Sequence, residues 1–521
     1  MPDLKRSSII KTAANTAADQ RLPILRLALA SAAAVALHGY HLGAEDGEIY
    51  IPAAKKLLHP GLYPYATEFF QSHERLSLFA PILAWTARLT HLSMDWTVFL
   101  WYVATTFLML VSCWTLASLS FSSARARWGG VLAIAAVLTM PATNTGLLLM
   151  DPYLTARSFS TPLTLFTLTA ILARRYWLAA GLTVFTAAIH PQMAAYLVFL
   201  GGVLWVVERY APAARRPVPI AAGAFLGLAP AAFHLAAAQG AYREALYSRD
   251  FYFLSTWTWY HWLGMLAPLG FLAWFSKGKM RGTTPAFARL SFALIPFGAI
   301  AIVAGAAIAS THKLDMYARL QPLRCFHLIT VVFMLFFAGI LGEYLARGRA
   351  WVIAAILVPL SAGMFAVDYE TNPMSPHIEW PGQMTSSNAW VNALLWIRQN
   401  APQDTVFAVD SGYFRDPDVD VHGFRSISER AALADYYKDG GVVAIFPNLA
   451  DDWKQQSSAT RGLNHFSAQD FTRLAHEYPV TWTAIHGPAP AGMDCPYQQN
   501  GYAVCKIPDA PGLTVSSSPG A

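Results

Sequence analysis

The sequence predicts an α-helical polytopic membrane protein of about eleven spans, followed by a soluble α/β domain at its C-terminal end. Three observations carry this expectation. Hydrophobic residues make up 55% of the chain and charged residues only 13%, far below the charged share of a soluble protein. Apolar runs of near-spanning length recur from residue 22 to residue 367, with Lys and Arg gathered in alternate connections between them. After Tyr369 the composition shifts to a linker holding Pro373, Pro376 and Pro381, then to mixed polar and apolar segments. The organisation that follows is a cytoplasmic tail at 1–21, a transmembrane domain at 22–367 with an outer first loop at 43–95, a linker at 368–387 and a periplasmic α/β domain at 388–521. A net charge of +6 does not imply nucleic acid, because the cations are scattered in pairs and form no basic stripe.

The expected spans run at 22–42, 96–121, 129–150, 156–173, 176–189, 193–207, 218–235, 262–275, 290–310, 326–345 and 351–367. The first resembles a signal peptide in its basic leader, but its near-spanning length and the runs behind it favour an uncleaved anchor. Cations are retained in the cytoplasm. That side receives Lys5, Arg6, Lys11 and Arg21, then Arg125 and Arg127, Arg174 and Arg175, Arg209, Arg215 and Arg216, Lys277, Lys279 and Arg281, and finally Arg347 and Arg349. Leu76 to Leu92 contains Arg88 and would reverse this order if it crossed, so it is read as an interfacial helix. The chain after Val367 then lies outside the membrane, in a bacterial inner-membrane topology with a cytoplasmic N-terminus.

In the C-terminal domain Trp390, Leu394 and Ile397 recur at helical spacing within Asn388 to Asn400. A buried strand is expected at Thr405 to Val409 and helices at 441–454 and 467–478, the latter capped by Ser467 with Asp470 three positions on. Strands near 480–485 and 502–507 complete the layer. Cys495 and Cys505 are close in sequence and lie on the oxidising side of this topology, so a disulfide between them is expected.

The first outer loop carries Glu45, Asp46, Glu48 and Tyr50, then Ala53, Ala54, Leu57, Leu58, Gly61, Tyr63, Pro64 and Tyr65. Carboxylates crowded at a membrane boundary can have a raised pKa and take a proton from a hydroxyl; a solvated turn is the simpler alternative. This pattern resembles the first outer loop of polytopic C-type glycosyltransferases that use polyprenyl-phosphate sugars. The resemblance implies a catalytic acid at Asp46 with Glu45 beside it and a second acid at Asp151 in the next outer loop, although the Glu-Asp pair followed by Gly47 departs from the usual doublet.

Further candidates come from placement. Arg157 at the mouth of a span needs an anionic partner, either Asp151 or a substrate phosphate. His190, before Pro191 and Gln192, sits at a helix break and either caps backbone or binds phosphate or sugar. His312, Arg319 and Arg324 belong to a cationic loop on the otherwise cation-poor side, suited to a lipid phosphate or to lipid headgroups. Trp257, Trp259 and Trp262 suit an interfacial belt or a sugar platform. No metal-ligand spacing appears, so neither a dedicated metal site nor a cofactor is expected. With these candidates, the resemblance implies an inverting hexosyl- or pentosyltransferase whose partners are a polyprenyl-phosphate-linked sugar donor, a glycan or lipid acceptor and the bilayer. The competing expectation is a non-catalytic transporter or envelope-assembly protein of the same architecture.

Overall fold

The computed structural model describes residues 22–210, 237–277, 280–345 and 349–511. Helices dominate, and one five-stranded sheet lies in the C-terminal part. Among the described residues five helices are long and apolar enough to cross a bilayer: Met94–Ser120, Pro191–Arg209, Pro285–Ser310, His312–Leu345 and Trp351–Thr371. The fourth combines two 3-10 segments, His312–Leu320 and Pro322–Arg324, separated by Gln321 at a φ of 51°, with the α-helix Cys325–Leu345 that follows directly.

That is fewer than the eleven expected. The remaining runs fold as shorter helices, Ile24–His38, Ala124–Ala136, Ala156–Leu172, Tyr176–Ile189 and Trp259–Phe275. At 1.5 Å per residue such helices are roughly 20–26 Å long, short of a hydrocarbon core about 30 Å thick. Local chemistry ends them. The run at 129–150 is helical only to Ala136 and then doubles back, with Pro141 bridging Leu148 and Met150 N donating to Leu138 O at 2.8 Å. The expected run at 218–235 lies outside the described residues, as do the tail at 1–21, Arg215, Arg216, Lys279 and Arg347.

Connections rich in cations meet at one end of the bundle. Phe121 bridges Thr283, Arg127 donates to the carbonyls of Phe121 and Ser122 at 3.1 and 3.2 Å, Arg281 lies 3.6 Å from Glu343, and Arg289 lies 2.9 Å from Glu208. Helices Ala124–Ala136 and Cys325–Leu345 pack closely there, because a Cβ on Gly130 would stand 2.5 Å from Leu335 O. Small residues allow such backbone approach where apolar burial gives little drive.

At the opposite end the segment 43–95 forms three short helices, Gly47–Leu58, Glu68–Glu74 and Phe79–Thr90. The last buries Ala80, Leu83, Ala84 and Ala87 and leaves Trp85 and Leu89 68% and 78% exposed, while Arg88 donates to Leu57 O at 2.6 Å. Twelve residues are too few to cross.

The sheet has the order β2-β1-β3-β5-β4, where β1 is Val406–Val409, β2 Ala431–Ala432, β3 Trp482–His486, β4 Asp494–Gln499 and β5 Tyr502–Lys506. Parallel pairing joins β1 to β2 and β3, and antiparallel pairing joins β5 to β3 and β4. Helix Ala389–Asn400 is capped by Asn388, whose Oδ1 accepts from Val391 N at 3.1 Å, and buries Trp390, Leu394 and Ile397. Helix Ala468–Glu477 carries the Ser467–Asp470 capping box. The single helix expected at 441–454 is instead Lys438–Ile445, a turn at Pro447–Leu449 and Ala450–Ala459. Pro447 lacks an amide hydrogen and pushes Phe446 out of helical geometry (φ −115°, ψ 83°). Strands β2 and β4 were not foreseen. A disulfide joins Cys495 on β4 to Cys505 on β5.

This part is fastened to the first outer loop by buried charge. Lys55 lies 3.1 Å from Asp95 and 2.9 Å from Glu429, and Arg398 lies 2.7 Å and 2.8 Å from the same two carboxylates. Glu48 accepts from the amides of Arg425 and Ser426, both at 2.9 Å.

Candidate functional site

The site begins where the loop leaves helix Ile24–His38. Gly43 has φ +74°, and a Cβ there would meet Ser426 Oγ at 2.7 Å, so glycine is required twice over. Glu45 follows in the left-handed region (φ 51°) without being glycine, held by the hydrogen bond its amide N–H donates to Val421 O at 2.8 Å. Such strain persists only where the surroundings over-determine it. Asp46 then starts helix Gly47–Leu58, placing both carboxylates at one corner.

Asp46 stands between two cations. Its Oδ2 accepts from Arg157 Nη2 at 3.0 Å, and its Oδ1 lies 3.2 Å from Lys438 Nζ. Lys438 also pairs with Glu45. The same Arg157 nitrogen reaches Asp151 Oδ2 at 2.9 Å, and Thr155 Oγ1 donates to that oxygen at 3.1 Å. Burial alone would raise the Asp46 carboxyl, yet Lys438, Arg157 and Arg324 outweigh it and hold the group well below the usual carboxylate range. The raised pKa expected of this carboxylate is therefore corrected: two cations overcome desolvation. Asp151 is the reverse, since burial lifts its carboxyl above its usual value despite Arg157. One cation thus serves two acids whose environments drive them apart.

These groups open onto a cavity of about 890 Å³. Its polar end carries Glu45, Asp46, Tyr50, His73, Tyr153, Arg157, His190, Arg249, Arg319, Arg324 and Lys438. Five Lys and Arg side chains face two lining carboxylates; adding Asp151 behind Arg157 still leaves five against three, an excess of two positive charges. Such a site attracts an anion. The other wall is apolar, with Ala195 and Phe199 from the helix starting at Pro191 and Ile300, Ala301 and Ala304 from Pro285–Ser310.

The candidates divide as follows. Glu45, Asp46, Tyr50, Arg157, His190, Arg319 and Arg324 line this cavity. Asp151 is buried one layer behind, against Arg157. His312 does not belong to it: the ring is exposed and its Nδ1 bonds Tyr247 Oη at 2.6 Å, because the 3-10 segment His312–Leu320 turns it outward. His190 caps the break between Tyr176–Ile189 and Pro191–Tyr210, 3.4 Å from Met193 N, while facing the cavity. Arg324 stacks over Phe251 with 5.2 Å to the ring centre and donates to Thr145 O at 3.3 Å. Among the described residues Arg319 makes no hydrogen bond or ion pair, and it is exposed at the cavity mouth. Trp257 is buried and Trp259 exposed, and neither lines the cavity.

Three participants were not foreseen. Lys438 comes from the C-terminal part, Arg249 hydrogen-bonds Tyr437 O, and His73 sits with its Nδ1 unpartnered. Burial pushes the His73 imidazole down to about 4, so it is neutral at pH 7. Burial likewise raises the Tyr50 phenol to about 12. Only long-range packing brings Lys438 here, 392 residues from Asp46.

Neither a family model nor a curated protein matches this chain.

Proposed function

We propose that the chain is an inverting membrane glycosyltransferase of the C-type fold, transferring a hexose or pentose from a polyprenyl-phosphate donor to a glycan or lipid acceptor of the cell envelope. The supporting observation is one cavity that joins the Asp46 carboxylate, a positive excess and an apolar wall between two spanning helices. A lipid-linked sugar phosphate needs those three surfaces together. Its tail requires an apolar groove, its phosphate requires guanidinium or ammonium donors, and its anomeric carbon must meet a hydroxyl beside a base.

In this reading the acceptor oxygen attacks the anomeric carbon from the face opposite the phosphate, and its proton passes to Asp46. The bond from that carbon to the phosphate oxygen breaks, and the electron pair leaves with the lipid phosphate onto Arg324, Arg319 and Lys438. A carboxylate tied to two cations is a weak base. Donor binding solves this, because the phosphate competes for Lys438 and Arg157 and returns basicity to Asp46.

The reading includes a topology of about eleven crossings. In this reading the five shorter helices, roughly 20–26 Å long, cross beside the five long ones where the bilayer thins around the bundle, and the run at 218–235 is added from sequence alone. The N-terminus is then cytoplasmic, and the C-terminal domain faces the periplasm from a bacterial inner membrane.

Incubating purified protein with radiolabelled polyprenyl-phosphate sugars and scoring lipid-phosphate release tests the reaction. Release that falls by on the order of 10²–10⁴ in Asp46→Asn supports it; no release from any donor by folded parent refutes it. The ion pairs that hold Asp46 favour the second reading, a non-catalytic transporter or envelope-assembly protein, and that outcome would select it.

A further inference from the structure

Tyr40 to Ala44 is the middle of a small seam. Tyr40 bridges Ile378 in parallel and Ala44 bridges His422 antiparallel, with Glu379 N donating to Tyr40 O at 2.9 Å and Gly423 N donating to Gly43 O at 3.0 Å. Each segment contributes one side chain to a common point: His41 from the turn between helix Ile24–His38 and the first outer loop, Glu379 from the linker and His422 from the C-terminal domain. They are 1%, 8% and 0% exposed.

The outward atoms of all three are committed. His41 Nε2 lies 3.3 Å from Asp368 Oδ1, His422 Nδ1 lies 3.0 Å from Val419 O, and Glu379 Oε2 accepts from Leu42 N at 2.7 Å. An imidazole that donates outward through one nitrogen presents a lone pair on the other. The inward atoms are His41 Nδ1, His422 Nε2 and Glu379 Oε1, all buried and without a partner outside the group itself. They lie within 4.8 Å of one another, with His422 Nε2 2.7 Å and His41 Nδ1 4.0 Å from Glu379 Oε1. Three such atoms converging in a dry space need positive charge between them, supplied either by a proton on an imidazole, as in a His422–Glu379 ion pair, or by a metal ion.

We infer that His41, Glu379 and His422 bind a divalent transition-metal ion of the zinc class, which clips the first outer loop, the linker and the C-terminal domain together. Two imidazole nitrogens and a carboxylate oxygen suit such an ion. With bonds of about 2.0 Å, a tetrahedral ion holds its donors roughly 3.3 Å apart, between the shorter and longer separations seen here. Asp368 and the Val419 carbonyl stand behind the two rings, where orienting partners of metal-bound histidines belong. None of the three ligands lines the 890 Å³ cavity, so the ion is structural: it fixes the strand that leads into Glu45 and Asp46. Spacing along the chain gave no sign of it, because the ligands come from three remote segments.

The test uses full-length protein in detergent, purified with a histidine-free tag and without chelator. Elemental analysis is expected to find one zinc-class ion per chain. After stripping, Co²⁺ titration is expected to give a visible ligand-field band that saturates at one equivalent, with the thermal midpoint rising on reloading. His422→Gln and Glu379→Gln should lose the band, while His486→Gln, which alters the separate Asp416–Asp418–His486 group, should keep it. The parent titration stands even if a variant fails to fold. Folded parent with neither stoichiometric metal nor a Co²⁺ band overturns the proposal, as does a band that His486→Gln abolishes and His422→Gln retains.

Discussion

Lys438 Nζ lies 3.2 Å from Asp46 Oδ1, although 392 residues separate them. The C-terminal part therefore completes the charge arrangement around the 43–95 segment, and Lys438 is a member of the site on equal terms with Arg157. Under the proposed reaction Lys438→Met weakens donor binding and the leaving of phosphate together, so KM rises and kcat falls. Steady-state kinetics with a polyprenyl-phosphate sugar would check this; unchanged constants would place Lys438 outside the reaction.

The depressed Asp46 carboxyl gives a pH signature. A carboxylate held below its ordinary value stays ionised as pH falls through the ordinary range, so free protein should show no acid limb from Asp46 down to about pH 4. Once donor phosphate neutralises Lys438 and Arg157, the carboxyl shifts upward. The acid limb of kcat, which reports the bound complex, should then lie at higher pH than that of kcat/KM. Parallel pH profiles of the two constants decide it, and coincident limbs would contradict donor-linked activation.

Arg157 is the shared partner of Asp46 and buried Asp151. Arg157→Met leaves Asp151 buried without a cation, a loss of about 3–5 kcal/mol for a broken buried pair. Adding Asp151→Asn should restore much of that stability without restoring turnover. Denaturant unfolding of the single and double variants reads the first effect and donor release the second.

The ring of Lys55, Arg398, Asp95 and Glu429 predicts how the two parts come apart. Lys55 is 2% exposed, and Lys55→Met leaves Asp95 and Glu429 sharing Arg398 alone, so stability falls by less than the about 3–5 kcal/mol of a fully broken buried pair. Burial by itself would raise the Glu429 carboxyl, but Lys55 and Arg398 lower it below its ordinary value of 4.5. A lowered acid stabilises the fold above that ordinary value and loses its contribution as pH falls through the folded-state value. The parent should thus loosen only below about pH 4.5, and Lys55→Met at higher pH. Limited proteolysis of the 372–388 segment across a pH series is the readout.

Much of this was legible along the chain, because hydropathy and capping are local. The runs at 96–121, 290–310 and 351–367, the break at His190 and Pro191, and the Asn388 and Ser467 caps are properties of neighbouring residues, and they fold accordingly. The misses are tertiary. Residues 138–150 are apolar enough for a helix but form a hairpin whose Leu138 amide bonds the His38 ring at 3.1 Å. His312 shares a loop with Arg319 and Arg324 yet faces away, since 3-10 geometry distributes neighbouring side chains differently from an α-helix. Lys438 beside Asp46 and the His41–Glu379–His422 group are created entirely by contacts between segments remote along the chain.

The most direct measurement is a structure of the full-length protein with bound polyprenyl phosphate. The account predicts phosphate density within hydrogen-bonding reach of Lys438 and Arg324, beside Asp46, with the prenyl tail along Phe199 and Ala304. A phosphate seated elsewhere, or a cavity that stays closed to the lipid at saturating concentration, would contradict it.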